Sequence, residues 1–360
     1  MIKVLMIGLG KMDQGGTESY LMSVFRNTDH NSIQMDFLVH RPEEGCYEEE
    51  IKKAGGKIIK LPRLREHPWR YCYRLFRVIR EGRYDIVHRH STASVMWIDL
   101  LIAMTAGVRV RIAHSHNTDW EKHFIHYMGI PILNLLATDR FACSKEAGRW
   151  MFGRAKFHIM KNGINTRRFA FNQDSRIRYR ELLNIGHKTA VLNVGRLVPE
   201  KNQKWIIDLA SAMKSDPDIE FFIVGDGPLR EELNLAIHKK GLSNKVHLLG
   251  QREDTACIMM ACDMLILPSV FEGMGIVLIE AQCTGLPCIV SDALPREADA
   301  GKCIFLKLDL MKWKQMILKM AGNVNDRSDS YQSAVRAGFE EKTTAKRVLE
   351  YYKRCLKSTS

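Results

Sequence analysis

The sequence lacks several features that would assign it to a particular class. No apolar run among its 360 residues approaches the roughly 18–20 residues that a membrane-spanning helix needs. Met1–Leu5 leads straight into a strand pattern, without the features of a signal peptide. The closest cysteine pairs, Cys257/Cys262 and Cys283/Cys288, lack zinc-ligand spacing, and the nine cysteines are typical of reduced core thiols. We therefore expect a cytoplasmic protein without a structural zinc site.

Acidic residues are too few to balance the basic ones, which gives a formal net charge of +13. The excess lies mainly in residues 1–168, which hold 27 Lys/Arg and 17 Asp/Glu, against 27 and 24 in the remainder. A basic first half indicates an anionic partner, which could be nucleic acid, anionic lipid or a phosphorylated acceptor. No zinc-finger or RNA-binding signature is present, so nucleic acid is the weakest of the three.

Two series of short apolar strands, separated by helical patterns, predict two α/β domains. A chain of this length is long for one core, and alternating strands and helices indicate parallel sheets covered on both faces. The first series is Ile2–Ile7, Met35–Val39, Ile58–Leu61, Asp85–His88, Val110–His114, Arg140–Cys143 and His158–Met160. The second is Ala190–Val194, Glu220–Val224, Val246–Leu249, Met264–Leu267 and Cys288–Ser291. The fold class predicted is a pair of doubly wound, Rossmann-like domains.

One stretch, Phe271–Glu280, combines an anion site with two carboxylates. It follows the buried strand pattern Met264–Pro268 and leads through glycines into a helix. Free N–H groups and the dipole at a helix N-terminus favour an anion. Glu272 is expected in the loop, and Glu280 about two turns along, where their carboxylates could accept from sugar hydroxyls. The same pattern also fits an ordinary helix with two surface acids.

Cations and glycine turns accompany this stretch. Arg196 follows the strand Ala190–Val194, and Lys201 lies five residues later. A guanidinium and an ammonium together could neutralise a diphosphate without a metal, or could be two surface cations. Gly15-Gly16 and Gly225-Asp226-Gly227-Pro228 each lead from a strand into a helix. Asp13 stands where a dinucleotide fingerprint requires its third glycine, so the first turn is not of that type.

Two His-x-His pairs lie near predicted strand ends, His88/His90 and His114/His116. Alternate residues of a strand face one way, so each pair could present both imidazoles together and bind a metal. We find no further Asp, Glu or His nearby in the sequence to complete a ligand set, and we therefore predict no metal.

The helical pattern Trp69–Arg80 combines basic and aromatic residues. Arg70, Arg74 and Arg77 fall on one arc, and Trp69 lies beside it. This pattern is typical of a helix at a membrane interface, and equally of a helix that covers a sheet and keeps a solvated basic face.

Taken together, the motifs resemble those of the retaining glycosyltransferases of family 4, which have the GT-B fold. The matching blocks run in the family's order: Gly15-Gly16-Thr17-Glu18, His114-Ser115-His116-Asn117-Thr118, Lys161-Asn162-Gly163-Ile164-Asn165, Gly195–Asn202, Val224–Pro228 and Phe271–Glu280. The residues of these blocks most closely resemble those of the bacterial capsular and exopolysaccharide branch of the family. Met274 departs mildly from the pattern, because many relatives carry Phe or Leu there.

The resemblance implies an acceptor-binding domain over residues 1–168 and a nucleotide-sugar-binding domain over 169–343, facing each other across a cleft. A C-terminal helix over 344–360 would pack back on the first domain. The implied enzyme is a hexosyltransferase that moves a sugar, with retention, from a UDP-sugar to a lipid-linked saccharide. A nucleotide-sugar epimerase of the same fold is the alternative, followed by a metal-dependent hydrolase and a non-catalytic protein.

The resemblance also assigns roles to residues. The catalytic group is His114, Glu272, Arg196 and Lys201. The donor-binding group is Gly16, Arg196, Lys201, Gly225, Gln251, Arg252, Glu272, Gly273, Met274, Gly275, Ile276 and Glu280. No cofactor or metal is expected, and the substrate is the nucleotide-sugar itself. The expected acceptor is a saccharide on a polyprenyl diphosphate, reached at the inner face of the cell membrane by Trp69, Arg70, Arg74 and Arg77.

Overall fold

The computed structural model describes residues 1–13, 15–116, 122–322, 326–327 and 329–358. The chain folds as two compact units, one formed by Met1–Ile164 with Glu341–Ser360 and the other by Asn165–Glu340. Each unit has its own parallel sheet. Asn117 and Thr118, which belong to one of the matching sequence blocks, lie outside the described residues.

The first unit is built on a seven-stranded sheet with the order β3-β2-β1-β4-β5-β6-β7. Its strands are β1 (Ile2–Leu9), β2 (Ile33–Val39), β3 (Ile58–Lys60), β4 (Ile86–Ser91), β5 (Val110–Ser115), β6 (Asp139–Ala142) and β7 (His158–Ile159). Its helices are α1 (Gly16–Arg26), α2 (Glu48–Lys53), α3 (Pro68–Gly82), α4 (Trp97–Thr105), α5 (His123–Leu136) and α6 (Lys145–Phe152), with α14 (Glu341–Ser358) at the end of the chain.

The last helix completes the core of this unit. α14 contacts α1, and Val348 and Tyr352 are fully buried with Met6, Tyr20 and other apolar side chains of the first strands and helix. The backbone N–H of Glu341 donates to the carbonyl of Ile164 (3.0 Å), where the chain returns to the unit.

The second unit is built on a six-stranded sheet with the order β10-β9-β8-β11-β12-β13. Its strands are β8 (Thr189–Val194), β9 (Ile219–Val224), β10 (Val246–Gly250), β11 (Met264–Leu267), β12 (Cys288–Ser291) and β13 (Cys303–Leu306). Its helices are α7 (Gln173–Leu182), α8 (Gln203–Ala212), α9 (Arg230–Lys239), α10 (Thr255–Ala261), α11 (Ile276–Cys283), α12 (Leu310–Met320) and α13 (Ser330–Arg336).

Parallel strands and crossover helices in both units confirm the predicted α/β class with two Rossmann-like domains. The strand order reverses next to β1 in the first sheet and next to β8 in the second. Loops that leave the carboxyl ends of the strands at such a reversal form the usual ligand site of a doubly wound sheet. In the second unit these are the loops after β8 and β11.

Candidate active site

The loops after β8 and β11 are held together by two hydrogen bonds. The backbone N–H of Val270 donates to the carbonyl of Glu200 (2.9 Å), and the Asn202 side chain donates to the carbonyl of Pro268 (3.1 Å). Asn202 also takes a left-handed backbone conformation (φ 56°) where α8 begins. This connection places the turn that carries Lys201 against the loop that carries Glu272.

Lys201 and Glu272 form an ion pair through Nζ and Oε1. Ser269, which is buried two residues after the end of β11, donates its hydroxyl to the same carboxylate oxygen (3.0 Å). No partner for Oε2 of Glu272 is found among the described residues, so that oxygen keeps its capacity to accept from a ligand hydroxyl. The structure thus brings together two residues that the sequence placed in one site, 71 positions apart.

The segment between Glu272 and α11 offers backbone donors. Gly275 adopts φ 69° and precedes the first helical residue, a conformation that glycine takes without the steric cost of a Cβ. Along the first turn of α11, Leu278 is the first residue whose backbone N–H has an acceptor, the carbonyl of Gly275 (2.8 Å). The amide groups of residues 273 to 277 have no acceptor in the part of the chain that the structure describes. Such a run of free amides can bind an anion.

Two glycines allow the neighbouring loops to approach closely. A Cβ on Gly225, whose φ is 139°, would lie 2.0 Å from the carbonyl oxygen of Gly195. Gly195 in turn donates to the carbonyl of Val224 (2.9 Å), and Gly225 donates to that of Gly250 (2.8 Å). The loops after β8, β9 and β10 therefore meet at the carboxyl edge of the sheet. Arg196 lies in the first of these loops, with its side chain exposed.

Glu280 is the fifth residue of α11, one turn from the start of the helix. The expectation of about two turns was wrong, because the helix begins only at Ile276, after the glycine turn. Desolvation by the surrounding protein raises the pKa of its carboxyl to about 7, and the nearby Arg168 guanidinium offsets part of that effect. A carboxyl with this pKa changes its charge near neutral pH.

Gln251 and Arg252 follow β10. Gln251 is exposed, whereas the guanidinium of Arg252 donates to both carboxylate oxygens of Asp254 (2.8 and 2.6 Å). The Tyr179 hydroxyl donates to Asp254 as well (3.0 Å). Because the Arg252 side chain is engaged in this way, the backbone of the loop is its more accessible recognition surface.

The other predicted site residues belong to the first unit. Gly16 is the first residue of α1 and is exposed. His114 is fully buried on β5, directly opposite His90 of β4 in the parallel pairing. The two His-x-His pairs therefore lie side by side, and the sequence argument that nothing nearby completes a ligand set was wrong. It treated each pair alone, although adjacent strands bring both pairs together.

Trp69, Arg70, Arg74 and Arg77 are all exposed on α3, while Tyr71, Leu75 and Ile79 are buried beneath them. Arg77 pairs with Glu81 along the helix (2.8 Å from Nε to Oε1), and no ion pair is found for Arg70 or Arg74 among the described residues. The helix thus covers the sheet and at the same time presents a basic and aromatic outer face.

The sequence analysis missed an exposed apolar face on α5. Phe124, Met128 and Leu135 are 78%, 63% and 82% exposed, and Tyr127 and Ile132 add to the same face. The helix contains no charged Asp, Glu, Lys or Arg. The sequence did contain a sign of this face, because the segment is a run of apolar residues with helical periodicity but without the charged face that a surface helix usually has. Among the residues that the structure describes, no helix has both the length and the apolar character needed to cross a bilayer.

Two family models match the chain. Residues 14–168 match Glycosyltransferase Family 4, and residues 175–299 match Glycosyl transferases group 1. The two matched regions correspond to the first and second units.

The whole chain has relatives of known sequence and structure. EpsF of Bacillus subtilis, whose name describes it as a glycosyltransferase, is 32% identical over 87% of this chain and 86% of its own. The Escherichia coli UDP-Gal:α-D-GlcNAc-diphosphoundecaprenol α-1,3-galactosyltransferase is 30% identical over 61% of this chain and 60% of its own. The crystal structure of Anabaena HepE in complex with UDP superposes with a TM-score of 0.79 at 19% identity, covering 98% of this chain and 100% of HepE. The chain is a glycosyltransferase with the GT-B fold and belongs to glycosyltransferase family 4.

Proposed function

We propose that this enzyme is a hexosyltransferase that moves a sugar from a UDP-sugar to a saccharide linked to polyprenyl diphosphate, in capsular or exopolysaccharide biosynthesis. The galactosyltransferase relative is named for a UDP-sugar donor and a diphosphoundecaprenol acceptor. HepE, which shares the fold, has been crystallised with UDP and with UDP-glucose. The first comparison supports this donor and acceptor class, and the second supports the UDP-sugar donor.

The single observation that carries the proposal is the pairing of Lys201 with Glu272 beside free backbone amides. A nucleotide-sugar has a diphosphate and a sugar in sequence. The ammonium of Lys201 and the amides of residues 273 to 277 suit the diphosphate, and Oε2 of Glu272 suits a sugar hydroxyl. The exposed guanidinium of Arg196 would add a second positive charge.

These groups define a mechanism in which the leaving diphosphate is stabilised without a metal. Arg196, Lys201 and the amides would take up negative charge as the bond from the anomeric carbon to the phosphate oxygen breaks. Glu272 would hold the donor sugar, and Glu280 would accept from the ribose hydroxyls. We assign no separate general base, and the departing phosphate would take the proton of the acceptor hydroxyl on the same face, which retains the anomeric configuration.

A donor panel tests this proposal. Purified protein is incubated with UDP-glucose, UDP-galactose, UDP-N-acetylglucosamine and GDP-mannose, each with and without a polyprenyl-diphosphate-linked saccharide. We expect release of nucleoside diphosphate from a UDP-sugar that depends on the acceptor, and a product linkage of the donor's own anomeric configuration by NMR. UDP release without acceptor or glycoside product would favour an epimerase, and an inverted linkage would refute the mechanism.

We also propose that the enzyme works as a peripheral protein on the inner face of the cell membrane. α4 contacts both α3 and α5, so the three helices form one layer on the first sheet. This layer exposes Arg70 and Arg74 without ion partners among the described residues and, on α5, the apolar side chains of Phe124, Met128 and Leu135. Basic residues near a surface of anionic lipid each contribute about 1 kcal/mol, and apolar side chains insert between headgroups.

Vesicle binding separates the two contributions. Changing Arg70, Arg74 and Arg77 to Glu should abolish the salt-sensitive part of the binding to phosphatidylglycerol vesicles, because screening and charge reversal act on the same attraction. Replacing Phe124, Met128 and Leu135 by Ser should remove any binding that persists at high salt. Charge reversal of Arg178, Lys204 and Lys239 in the second unit is the matched control. If the first variant binds as wild type does, α3 is ordinary sheet cover.

A further inference from the structure

A hydrogen-bonded chain connects the C-terminal helix to His114. The hydroxyl of Tyr352 on α14 lies 2.6 Å from Nδ1 of His88, and Nε2 of His88 lies 3.1 Å from Nδ1 of His114. All three side chains are fully or almost fully buried. Nε2 of His114, at the end of this chain, has no partner among the described residues. The chain spans the body of the first unit, from α14 across β4 to β5.

Burial keeps every group in this chain neutral. Desolvation lowers the pKa of His88 and of His114 well below the ordinary value, so each imidazole carries one N–H. Desolvation likewise raises the pKa of the Tyr352 phenol, so the hydroxyl keeps its proton. With one proton per group, the direction of the first hydrogen bond fixes the direction of the second.

The surroundings of Tyr352 decide that direction. Its hydroxyl has two neighbours that can accept, Nδ1 of His88 at 2.6 Å and the sulfur of Met6 at 4.0 Å. A thioether is a weak acceptor and an unprotonated imidazole nitrogen is a strong one. The 2.6 Å separation also falls within the range of hydroxyl donors and below the usual range of N–H donors. Tyr352 therefore donates to His88.

We propose that Tyr352 and His88 are positioning residues that hold His114 as the neutral tautomer protonated at Nε2, so that His114 offers a hydrogen-bond donor to an oxygen of the bound sugar. Donation by Tyr352 leaves the proton of His88 on Nε2, where it donates to Nδ1 of His114. The proton of His114 is then on Nε2. The tautomer itself follows from contacts within the first unit, and only the sugar as its ligand rests on the proposed function.

A neutral donor suits the reaction better than a charged one. Positive charge develops on the sugar ring as the diphosphate leaves, and an imidazolium beside it would oppose that charge. His90 is also fully buried and His116 is partly buried, with Nδ1 of His90 2.8 Å from Nε2 of His116. Desolvation lowers the pKa of both imidazoles, that of His116 to about 3. No member of the cluster therefore adds a positive charge near His114 at neutral pH.

Nuclear magnetic resonance of full-length protein labelled with 15N-histidine tests the tautomer directly. Long-range proton–nitrogen correlations distinguish protonated from unprotonated ring nitrogens, and His114→Gln and His88→Gln identify the two sets of signals. We expect Nε2 to be protonated and Nδ1 unprotonated in both residues of the wild-type protein. This measurement needs neither substrate nor turnover, so it stands even if the proposed donor is wrong.

Tyr352→Phe tests the role of the hydroxyl, with Tyr351→Phe as the matched control. Tyr351 lies on the same helix and is also largely buried, but its hydroxyl donates to Asp139 (2.6 Å). We expect Tyr352→Phe to give mixed tautomers at His88 and His114 and to lower kcat roughly fivefold to tenfold, the equivalent of one hydrogen bond, with unchanged UDP affinity. Tyr351→Phe should leave the tautomers unchanged.

Three results would overturn the proposal. One is a wild-type His114 protonated at Nδ1, and another is a Tyr352→Phe protein whose tautomers match wild type. The third is a stoichiometric metal in the purified protein that His90→Gln removes. His88, His90 and His114 each place a ring nitrogen within 4.8 Å of the others, and a metal bound there would replace the proton on the bridging nitrogens.

Discussion

Replacing Glu280 by Gln should stabilise the protein at alkaline pH and weaken nucleotide binding. The carboxyl has an ordinary pKa of 4.5 and a pKa of about 7 in the folded protein, because desolvation disfavours its charged form. The folded state therefore binds the proton more tightly than the unfolded state does. Stability falls as pH rises from about 4.5 to about 7 and is level above that.

The difference between the two pKa values sets the magnitude. The rise of the Glu280 pKa from 4.5 to about 7 corresponds to about 3 kcal/mol of unfolding free energy, all of which opposes folding at pH 8. At pH 5 the same group costs less than about 1 kcal/mol. Glutamine keeps the size of the side chain and carries no charge, so Glu280→Gln should gain about 2 kcal/mol more at pH 8 than at pH 5.

Urea unfolding at the two pH values measures this difference. Glu231→Gln, a substitution at an exposed position of α9, is the matched control and should change stability equally at both. UDP binding by calorimetry gives the second readout. If the ionised carboxylate accepts from the ribose, the UDP affinity of the wild type should fall about tenfold between pH 8 and pH 6, beyond any change seen in the variant. The phosphate of UDP titrates equally with both proteins, so the variant corrects for that contribution. A pH-independent stabilisation would refute the reasoning.

The other predictions concern the diphosphate site. Arg196→Ala and Lys201→Ala should each lower transfer by roughly 10²-fold or more and weaken UDP binding, and wild-type turnover in both would reject their assignment to the leaving group. Activity should persist in EDTA, because cations and amides already cover the diphosphate; loss of activity that zinc or manganese restores would indicate a metal-dependent mechanism. Gly225→Ala should cost at least about 1–3 kcal/mol of stability and abolish UDP binding, since the new Cβ would collide with the carbonyl oxygen of Gly195, and an unchanged urea midpoint would contradict this.

Periodicity was sufficient to predict most of the fold. Twelve predicted strands coincide with observed ones, because strands buried on both faces are continuous apolar runs. The thirteenth, Cys303–Leu306, was not predicted. It is an edge strand whose four residues are all partly exposed, unlike the equally short but fully buried β11 and β12, so burial imposes a weaker apolar pattern on it.

The candidate site was harder to predict, because its geometry depends on contacts between distant segments. The residue types around Glu272 and Lys201 could be read from the motifs, but their direct contact depends on Asn202 and Val270, whose hydrogen bonds no spacing indicates. The role of Tyr352 could not be predicted either. It lies 264 residues from His88, and only the return of α14 to the first unit brings the two side chains together.

The place where the chain re-enters the first unit has a consequence for biosynthesis. Ile164 and Glu341 are joined by a hydrogen bond, so the second unit is an insertion whose two ends are held next to each other. During translation the first sheet emerges early, but its apolar cover remains open until Val348–Cys355 has left the ribosome. The inserted unit can complete its own core before that, and the first unit then closes last, around strands that were made much earlier.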